Sequence, residues 1–294
     1  MENNIPEFFK EMIKKQYGEI IEKKILNGYL VDKPVTLRIN TIKSDFKKVK
    51  EELERNNIKF QKVDWYDSAL IIENEKEEKI RELDIYNNGE IYLQSLSSML
   101  PPIVLEPKPG ENILDMTAAP GGKTTQIAAI SNNEAMITAC EKNKIRADRL
   151  KYNLEKQCAN RVNLMYEDAR KLDDMFSFDK ILLDAPCSGS GTMNIFQKNF
   201  TMDLIKRTLK IQEELLDKAL RLLKPGHEMI YSTCSILKEE NEDIIQKILK
   251  KNKVQVVPIK PIANVELLET KIPGTICVCP SELYEGFFIA KLRR

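Results

Sequence analysis

Apolar residues recur at two intervals along the 294-residue chain, and the change of interval predicts its organisation. Residues 1–30 show helix-like spacing, as at Phe9, Met12 and Ile13, which predicts helices. Between residues 35 and 95, the strand-like runs VTLRINT, IKFQKVDW and ALIIE accompany SDFKKVKEELERNN, an amphipathic helix that we expect Ser44 to cap. The order strand, helix, strand, strand predicts a small α+β module. The charged run NEKEEK (74–79) is interpreted as a solvated turn or linker.

From Gln94 onward, short apolar runs alternate with helical stretches, and the runs are ENILDMTA, AMITACE, VNLMYED, DKILLDAP and EMIYSTC. This alternation predicts an α/β fold with a mostly parallel, doubly wound sheet covered by helices on both faces. We therefore predict a module over 1–93 and an α/β domain over 94–294. Ligands of such sheets bind at the carboxyl ends of the strands. The five runs end at or beside Asp115, Glu141, Asp168, Asp184 and Cys234, so we expect the functional residues there.

Composition limits the class of protein. Hydrophobic residues make up 42% and charged residues 31% of the chain, which is typical of a globular protein. No apolar run approaches the roughly 20 residues that a membrane-spanning helix requires, and no secretion signal is recognisable at the N-terminus. We therefore expect the six cysteines to be free thiols in a reducing cytoplasm. The net charge of +1 means that any basic surface for a nucleic acid must be local.

The loop TAAPGGKT (117–124) is close to a phosphate-binding loop without matching it. Gly122, Lys123 and Thr124 agree with the pattern, but Thr117 replaces its first glycine. Pro120 also removes one N–H from a loop that would present N–H groups to phosphates. The alternative is a plain strand-to-helix turn that needs glycines for its geometry.

The acidic residues after the runs favour a ligand other than a nucleoside triphosphate, which carboxylates would repel. Glu141 stands where a doubly wound sheet places an acid for ribose hydroxyls, and Asp168 could accept a hydrogen bond from an exocyclic amine. A cationic nucleoside, S-adenosylmethionine, fits these acids better. A single acid at a strand end is ordinary, so the prediction depends on several acids following successive strands.

Two cysteines also follow runs of the predicted sheet, Cys187 in DAPCSG and Cys234 in YSTCS, and both can face one crevice. A lone cysteine is most often a small buried apolar residue, the interpretation we give to Cys140 and Cys158. A metal pair is disfavoured because His227 is the only histidine and no C-x-x-C motif occurs, so we expect no metal. The CVC at 277–279 is predicted to lie in a strand.

Together these segments resemble a known family. The set DMTAAPGGKTTQIA, ACEKNKIRADRL, YEDARKL, KILLDAPCSGSGTM and YSTCSILKEENE is similar to the RsmB/Sun (NOL/NOP/Sun) family of S-adenosylmethionine-dependent RNA (cytosine-5)-methyltransferases. The resemblance runs from about Gln94 to the closing GFFIAKLRR, and LRINTIK is similar to the opening of the family's small RNA-binding domain. The chain departs from the family at Thr117 (often cysteine), at His227 (usually glycine) and in NIFQKNFTMD, which lacks a common tryptophan pattern.

The resemblance implies a Rossmann-like class I methyltransferase fold and specific roles. It makes Cys234 the nucleophile, lets Cys187 assist the release of product, places Asp184 at the base edge and near the cofactor, and has Lys123 shape the active site. The implied S-adenosylmethionine-binding residues are Thr117, Ala118, Ala119, Pro120, Gly121, Gly122, Lys123, Glu141, Asp168 and Asp184. We expect tRNA or rRNA as partner, no membrane, and a monomer. Basic residues of 203–224 and of the N-terminal module are candidates for RNA contacts, or simply solvated.

Three other functions stay open at this point. A P-loop nucleotidase would bind ATP and not S-adenosylmethionine. A DNA cytosine methyltransferase would use the Pro-Cys cysteine, Cys187, as nucleophile, although the second motif TCS argues against it. A non-catalytic RNA-binding scaffold would leave the two cysteines unexplained.

Overall fold

The computed structural model describes residues 5–251 and 254–294. It divides into two compact units, and neither is one continuous stretch of chain. We call residues 34–172 with 178–180 the Gly-loop unit, and residues 5–33, 173–177, 181–251 and 254–294 the Cys-loop unit. This division follows packing, so the predicted boundary between residues 93 and 94 stays a prediction.

The first part of the Gly-loop unit is a small antiparallel sheet with helices. Its elements are β1 (Thr36–Ile39), α3 (Phe46–Arg55), β2 (Phe60–Lys62), β3 (Ala69–Ile72), α4 (Glu77–Glu82), α5 (Asp84–Asn87) and β4 (Ile91–Leu93), with the strand order β2-β3-β1-β4. Val49 and Leu53 of α3 are fully buried in one core with Leu37 and Leu70 of the sheet. The predicted strand, helix, strand, strand series is confirmed.

Two local predictions in this part are wrong. Asp45, not Ser44, caps α3, because its Oδ1 accepts the N–H of Lys48 at 2.9 Å, while the Ser44 hydroxyl donates to Glu90 at 3.0 Å. The charged run 74–79 is not simply a turn, since α4 begins at Glu77. Ile80 is fully buried on that helix, and burial of one apolar side chain outweighs the polar character of its neighbours.

The second part of the Gly-loop unit alternates strands and helices as predicted. Its elements are α6 (Leu96–Leu105), β5 (Asn112–Asp115), α7 (Gly122–Ile130), β6 (Met136–Cys140), α8 (Lys144–Lys156) and β7 (Val162–Met165). The strands β5, β6 and β7 pair in parallel, each followed by a helical segment or turn. The unit also contains the first residues of β8 (Phe178–Asp184), where Asp179 accepts the N–H of Asn112 at 2.9 Å.

The Cys-loop unit contains the rest of β8 and a largely antiparallel region. Its strands follow the order β8-β9-β13-β12-β11, with β10 paired to β13. The bounds are α1 (Glu7–Tyr17), α2 (Glu19–Leu30), α9 (Met202–Leu222), β9 (Leu223–Thr233), α10 (Glu242–Lys251), β10 (Gln255–Val257), β11 (Leu267–Leu268), β12 (Ile276–Val278) and β13 (Phe287–Arg293). The antiparallel pairing of β13 with β9 adds an edge that the alternating pattern does not predict.

The predictions for α1, α2, α9 and the strand around CVC are confirmed, since Cys277 lies in β12. Within the described ranges 5–251 and 254–294, we find no helix with both the length and the apolar character needed to cross a bilayer.

Candidate active site

The loop that follows β5 is held by a buried carboxylate. Asp115, the last residue of β5, is 1% exposed, and its Oδ2 accepts a hydrogen bond from the Thr124 hydroxyl at 2.7 Å. Its Oδ1 accepts the N–H of Thr117 at 3.4 Å, and the N–H of Ala118 donates to the Cys140 carbonyl at 3.0 Å. Asp115 therefore closes residues 117–124 into a loop, a role that sequence reasoning missed because the residue was interpreted only as a strand end.

The glycines of the loop have a steric reason. Gly121 has φ +109°, and a Cβ on it would lie 2.9 Å from Leu150 of α8. A Cβ on Gly122 would lie 3.1 Å from the Tyr92 ring. These glycines are thus required by backbone conformation and close packing, whatever ligand the loop binds.

Lys123 is directed toward α6. Its Nζ donates to the Ser98 hydroxyl at 2.8 Å, and Ser98 lies in the first turn of α6, where its N–H donates to the capping residue Ser95. The lysine therefore links the starts of α6 and α7.

The predicted acids follow β6 and β7 by a few residues. Glu141 is 5% exposed; its Oε1 accepts the N–H of Asn143 at 2.8 Å, and its Oε2 lies 3.1 Å from Arg146. Arg146 in turn donates to the carbonyl of Ala119 in the glycine loop at 2.9 Å. This arginine, which the sequence did not single out, joins the acid to the loop.

Asp168 begins a 3₁₀ turn, Ala169–Lys171, and accepts the N–H of Arg170 at 3.1 Å. Hydrogen bonds from the Arg170 side chain lower the pKa of Asp168 from 3.8 to about 2, against the opposing effect of burial. Asp168 is therefore ionised at neutral pH and can act only as an acceptor.

In the Cys-loop unit, β8 ends at Asp184. The hydroxyl of Ser232, on β9, donates to its Oδ1 at 2.8 Å, and the N–H of Ala185 donates to the Ser232 carbonyl at 2.7 Å. These bonds fix the carboxylate at the start of the cysteine loop.

The two predicted cysteines lie together. The Sγ atoms of Cys187 and Cys234 are 3.1 Å apart, and both cysteines are free. A disulfide would need about 2.05 Å, so the distance describes one sulfur hydrogen-bonded to the other. The hydrogen bond with Cys234, followed by burial, raises the pKa of Cys187 well above its usual range. This environment favours the protonated form of Cys187.

A glycine joins the two cysteine loops. The N–H of Gly191 donates to the carbonyl of Cys234 at 3.0 Å, and the carbonyl of Gly191 accepts the N–H of Gly286 at 2.7 Å. A Cβ on Gly191 would come closer than 3.0 Å to the Gly286 carbonyl oxygen, a distance that real Cβ atoms do not show. The hydroxyls of Ser190 and Ser235 add a second link of 2.7 Å.

A buried acid supports the cysteine loop and was missed. Glu240 is fully buried and accepts hydrogen bonds from Ser188, the residue after Cys187. Its position in the charged run LKEENE indicates a surface residue, so local sequence contains no sign of its burial.

Cys140 and Cys277 are buried, and burial raises the pKa of each to about 12, which agrees with packing for Cys140.

His, Cys, Asp and Glu side chains of the described chain form no group of three or more that could hold a metal ion.

Parallel strands with a glycine loop and acids at their carboxyl ends define the class, a Rossmann-like methyltransferase. A crystal structure described as a methyltransferase homolog protein from Pyrococcus horikoshii superimposes with a TM-score of 0.86 and 34% identity, covering 98% of this chain and 95% of that one. The predicted fold is confirmed.

The family follows from two further matches. The family model for the 16S rRNA methyltransferase RsmB/F matches residues 102–293, and the model for the RsmF/B-like ferredoxin-like domain matches residues 5–77. The chain belongs to the RsmB/F methyltransferase family, as its sequence motifs predicted.

The relatives of the chain differ in the RNA that their names give. The chain is 32% identical to the tRNA (cytosine(49)-C(5))-methyltransferase of Pyrococcus abyssi, over 98% of both chains. It is also 32% identical to the ribosomal RNA small subunit methyltransferase F of Shewanella loihica, over 88% of this chain and 56% of that one. The chain thus spans almost the full length of the first relative and little more than half of the second.

Proposed function

We propose that the protein transfers a methyl group from S-adenosylmethionine to carbon 5 of a cytosine in tRNA or rRNA, through a covalent bond between Cys234 and the base. The observation that carries this proposal is the pair of free thiols whose sulfur atoms lie 3.1 Å apart. The names of the relatives support the choice of cytosine carbon 5 and of RNA.

The residues of the Gly-loop unit fit S-adenosylmethionine by their hydrogen-bonding chemistry. Ribose hydroxyls and the adenine amine are donors, and Glu141 and ionised Asp168 are acceptors at successive strand ends. Residues 117–123 would line the cofactor beside them. When bound, S-adenosylmethionine supplies an electrophilic methyl group, and carboxylates near it suit its positive charge.

The thiol pair accounts for activation of the base. Carbon 5 of cytosine is too electron-poor to attack a methyl group unaided, so a thiolate first forms a bond to carbon 6 and makes carbon 5 nucleophilic. We assign this attack to Cys234, because Cys187 holds the proton and can donate a hydrogen bond to the Cys234 sulfur. Asp184, fixed by Ser232, would accept from the amino group of the base.

Release of product reverses the addition. After methylation, the carbon-5 proton passes to water, the double bond between carbons 5 and 6 re-forms, and the carbon–sulfur bond breaks with its electron pair on Cys234. The S–H of Cys187 stabilises this departing thiolate by a hydrogen bond. The target base must be unpaired or leave its stack to reach the thiols.

Substitution of the nucleophile tests the proposal. Cys234→Ala is expected to abolish transfer of labelled methyl groups to RNA while S-adenosylmethionine binding, measured by calorimetry, is retained. Cys158→Ala, a half-buried cysteine outside the loops, is the matched control and keeps activity. Retained turnover in Cys234→Ala contradicts the assignment. Loss of methyl transfer in Cys187→Ala without a covalent RNA adduct favours Cys187 as the nucleophile. Bisulfite sequencing of RNA from cells with and without the gene identifies the modified cytosine.

A further inference from the structure

Glu240 has an environment that is unusual for an acid. It ends the 3₁₀ turn Lys238–Glu240 and is 0% exposed. Its Oε1 accepts the N–H of Ser188 at 2.8 Å and the Thr208 hydroxyl at 2.7 Å, and its Oε2 accepts the Ser188 hydroxyl at 2.5 Å. The carboxamide of Gln212, from α9, lies 3.4 Å from Oε1. All these donors are neutral amide or hydroxyl groups, and together they satisfy both carboxyl oxygens of Glu240.

The same network clamps the backbone on both sides of Cys187. The peptide group after Cys187 is held through the Ser188 N–H by Glu240. The peptide group before it is held through the Pro186 carbonyl, which accepts from Gln212 at 2.9 Å. Two rigid elements, α9 and the 3₁₀ turn, therefore fix the position of the Cys187 backbone, and a displacement of about 1 Å at such a group can cost about 100-fold in rate.

We propose that Glu240 is a positioning residue that acts through Cys187, fixing the loop that carries this thiol and holding a negative charge near it. This inference rests on the proposed function, in which protonated Cys187 assists the departure of Cys234 from the product. Burial of a carboxylate without a cationic partner is unfavourable, and a purely structural contact between apolar groups would avoid that cost.

The charge of Glu240 supports the same role as its hydrogen bonds, because it favours the protonated thiol of Cys187. The hydrogen bond with Cys234, burial and the Cys234 charge raise the pKa of Cys187 most, and the charge of Glu240 adds to them. The other titratable groups here are Tyr231, whose hydroxyl donates to the Glu240 carbonyl at 2.6 Å, and Asp184 at the end of β8. The negative charge of Glu240 therefore disfavours the thiolate form of Cys187 and favours its S–H as a hydrogen-bond donor.

The test separates the first methyl transfer from later turnovers. Glu240→Gln retains size and removes the charge. In this variant we expect the burst of the first transfer to be retained, steady-state turnover to fall about 10- to 100-fold, and a covalent RNA adduct to accumulate on denaturing gels. A variant that is merely destabilised would lose burst and turnover together. Glu213→Gln, at a half-buried acid of α9 that pairs with Lys247, is the matched control and keeps normal turnover.

A second measurement detects the charge directly. The rate of Cys187 alkylation by iodoacetamide is followed against pH by peptide mass spectrometry in a Cys234→Ala background. We expect the midpoint to move to lower pH in Glu240→Gln, because the charge that disfavours the thiolate is gone. In Thr208→Val, which removes one hydrogen bond and keeps the charge, the midpoint should stay in place.

The proposal is overturned if Glu240→Gln has unchanged turnover and forms no adduct. It is also overturned if the midpoint of Cys187 alkylation in this variant does not move. If that variant does not fold, Glu240→Asp serves instead, with an expected normal midpoint and slower turnover because the shorter side chain withdraws from Ser188. Wild-type behaviour of Glu240→Asp in turnover overturns the proposal equally. Absence of methyl transfer to RNA by the wild-type protein refutes the proposed function itself, whatever the Glu240 variants do.

Discussion

At the scale of single residues, neighbouring groups in each unit set the protonation of an ionisable side chain. The pKa of Cys187 is raised because this thiol shares a hydrogen bond with Cys234 and is buried. Asp168 stays ionised because Arg170 holds it by several hydrogen bonds. Burial beside another sulfur thus favours Cys187 as a hydrogen-bond donor, and the neighbouring arginine favours Asp168 as an acceptor.

Removal of the donor thiol should trap the reaction before release. We expect Cys187→Ala to accumulate a covalent adduct with RNA, because the departing Cys234 thiolate loses the S–H that stabilises it. A denaturing gel with labelled RNA measures the adduct, and Cys279→Ala, a buried cysteine distant in sequence from both loops, is the control. A gel without adduct would remove Cys187 from product release.

The ion pair at Asp168 predicts a pH dependence of stability. The pKa of Asp168 is lowered from 3.8 to about 2, so its stabilising contribution is present above about pH 4 and is lost as the pH falls through about 2. We expect Arg170→Leu to lower the melting temperature at pH 6, and the difference from wild type to shrink between pH 4 and pH 2. Lys171→Leu, the neighbouring cation, is the control. A constant difference over that range would show that the pair has no such role.

At the scale of elements, the site depends on loops that approach without space for a side chain. Gly191 donates its N–H to the carbonyl of Cys234, and its own carbonyl accepts the N–H of Gly286. The hydrogen bond from the Ser232 hydroxyl of β9 to Asp184 holds the ends of β8 and β9 together, and the Gly191 contacts hold the loops that follow them.

Replacement of Gly191 tests this contact. Gly191→Ala inserts a Cβ against the Gly286 carbonyl, so the backbone must shift. We expect a loss of about 1–3 kcal/mol in the free energy of unfolding and, in a Cys187→Ala background, loss of the covalent adduct with RNA. Gly226→Ala is a suitable comparison because its φ is +79° and nothing lies within 4 Å of the added Cβ. It should cost about 1–2 kcal/mol from backbone strain alone and leave adduct formation intact.

At the scale of the whole molecule, charge alone does not indicate the RNA-binding surface. Lys218 of α9 is 4% exposed and forms an ion pair with Asp174, which Arg221 also contacts at 3.4 Å. Of these two cations, Lys218 is therefore buried in the fold, whereas Arg221 stays exposed at the surface. Lys206, Arg207 and Lys210 of α9 remain candidates for contacts with RNA phosphates.

Ligand-induced stabilisation separates the proposed function from a P-loop nucleotidase. A ligand that binds the folded chain at 100 times its Kd stabilises it by about 2.7 kcal/mol. We expect S-adenosylmethionine to raise the melting temperature and ATP with Mg²⁺ to leave it unchanged. The variant Glu141→Ala should weaken the S-adenosylmethionine effect, and Glu155→Ala on the exposed side of α8 should not. Stabilisation by ATP alone would favour the nucleotidase.

Much of the fold could be predicted because helices and buried strands have different periods. The runs that became β5, β6 and β8 are apolar over consecutive residues, and the amphipathic α3 repeats every three to four. The cap of α3 was assigned to Ser44 because serine and aspartate are both good caps, and only the backbone geometry selects Asp45. The antiparallel edge at β13 was not predicted, since strand direction depends on pairing and not on composition.

The sequence by itself determined the alternation of strands and helices, the acids and cysteines that follow them, and the family, because periodicity and motif spacing depend on residues near one another in the chain. Only the tertiary structure decided that Cys187 and Cys234, 47 residues apart, share a hydrogen bond, and that Glu240, 52 residues from Ser188, is buried beneath their loop. Such contacts depend on how distant elements pack, and packing can bury a charged residue of a polar run when neutral donors satisfy its oxygens.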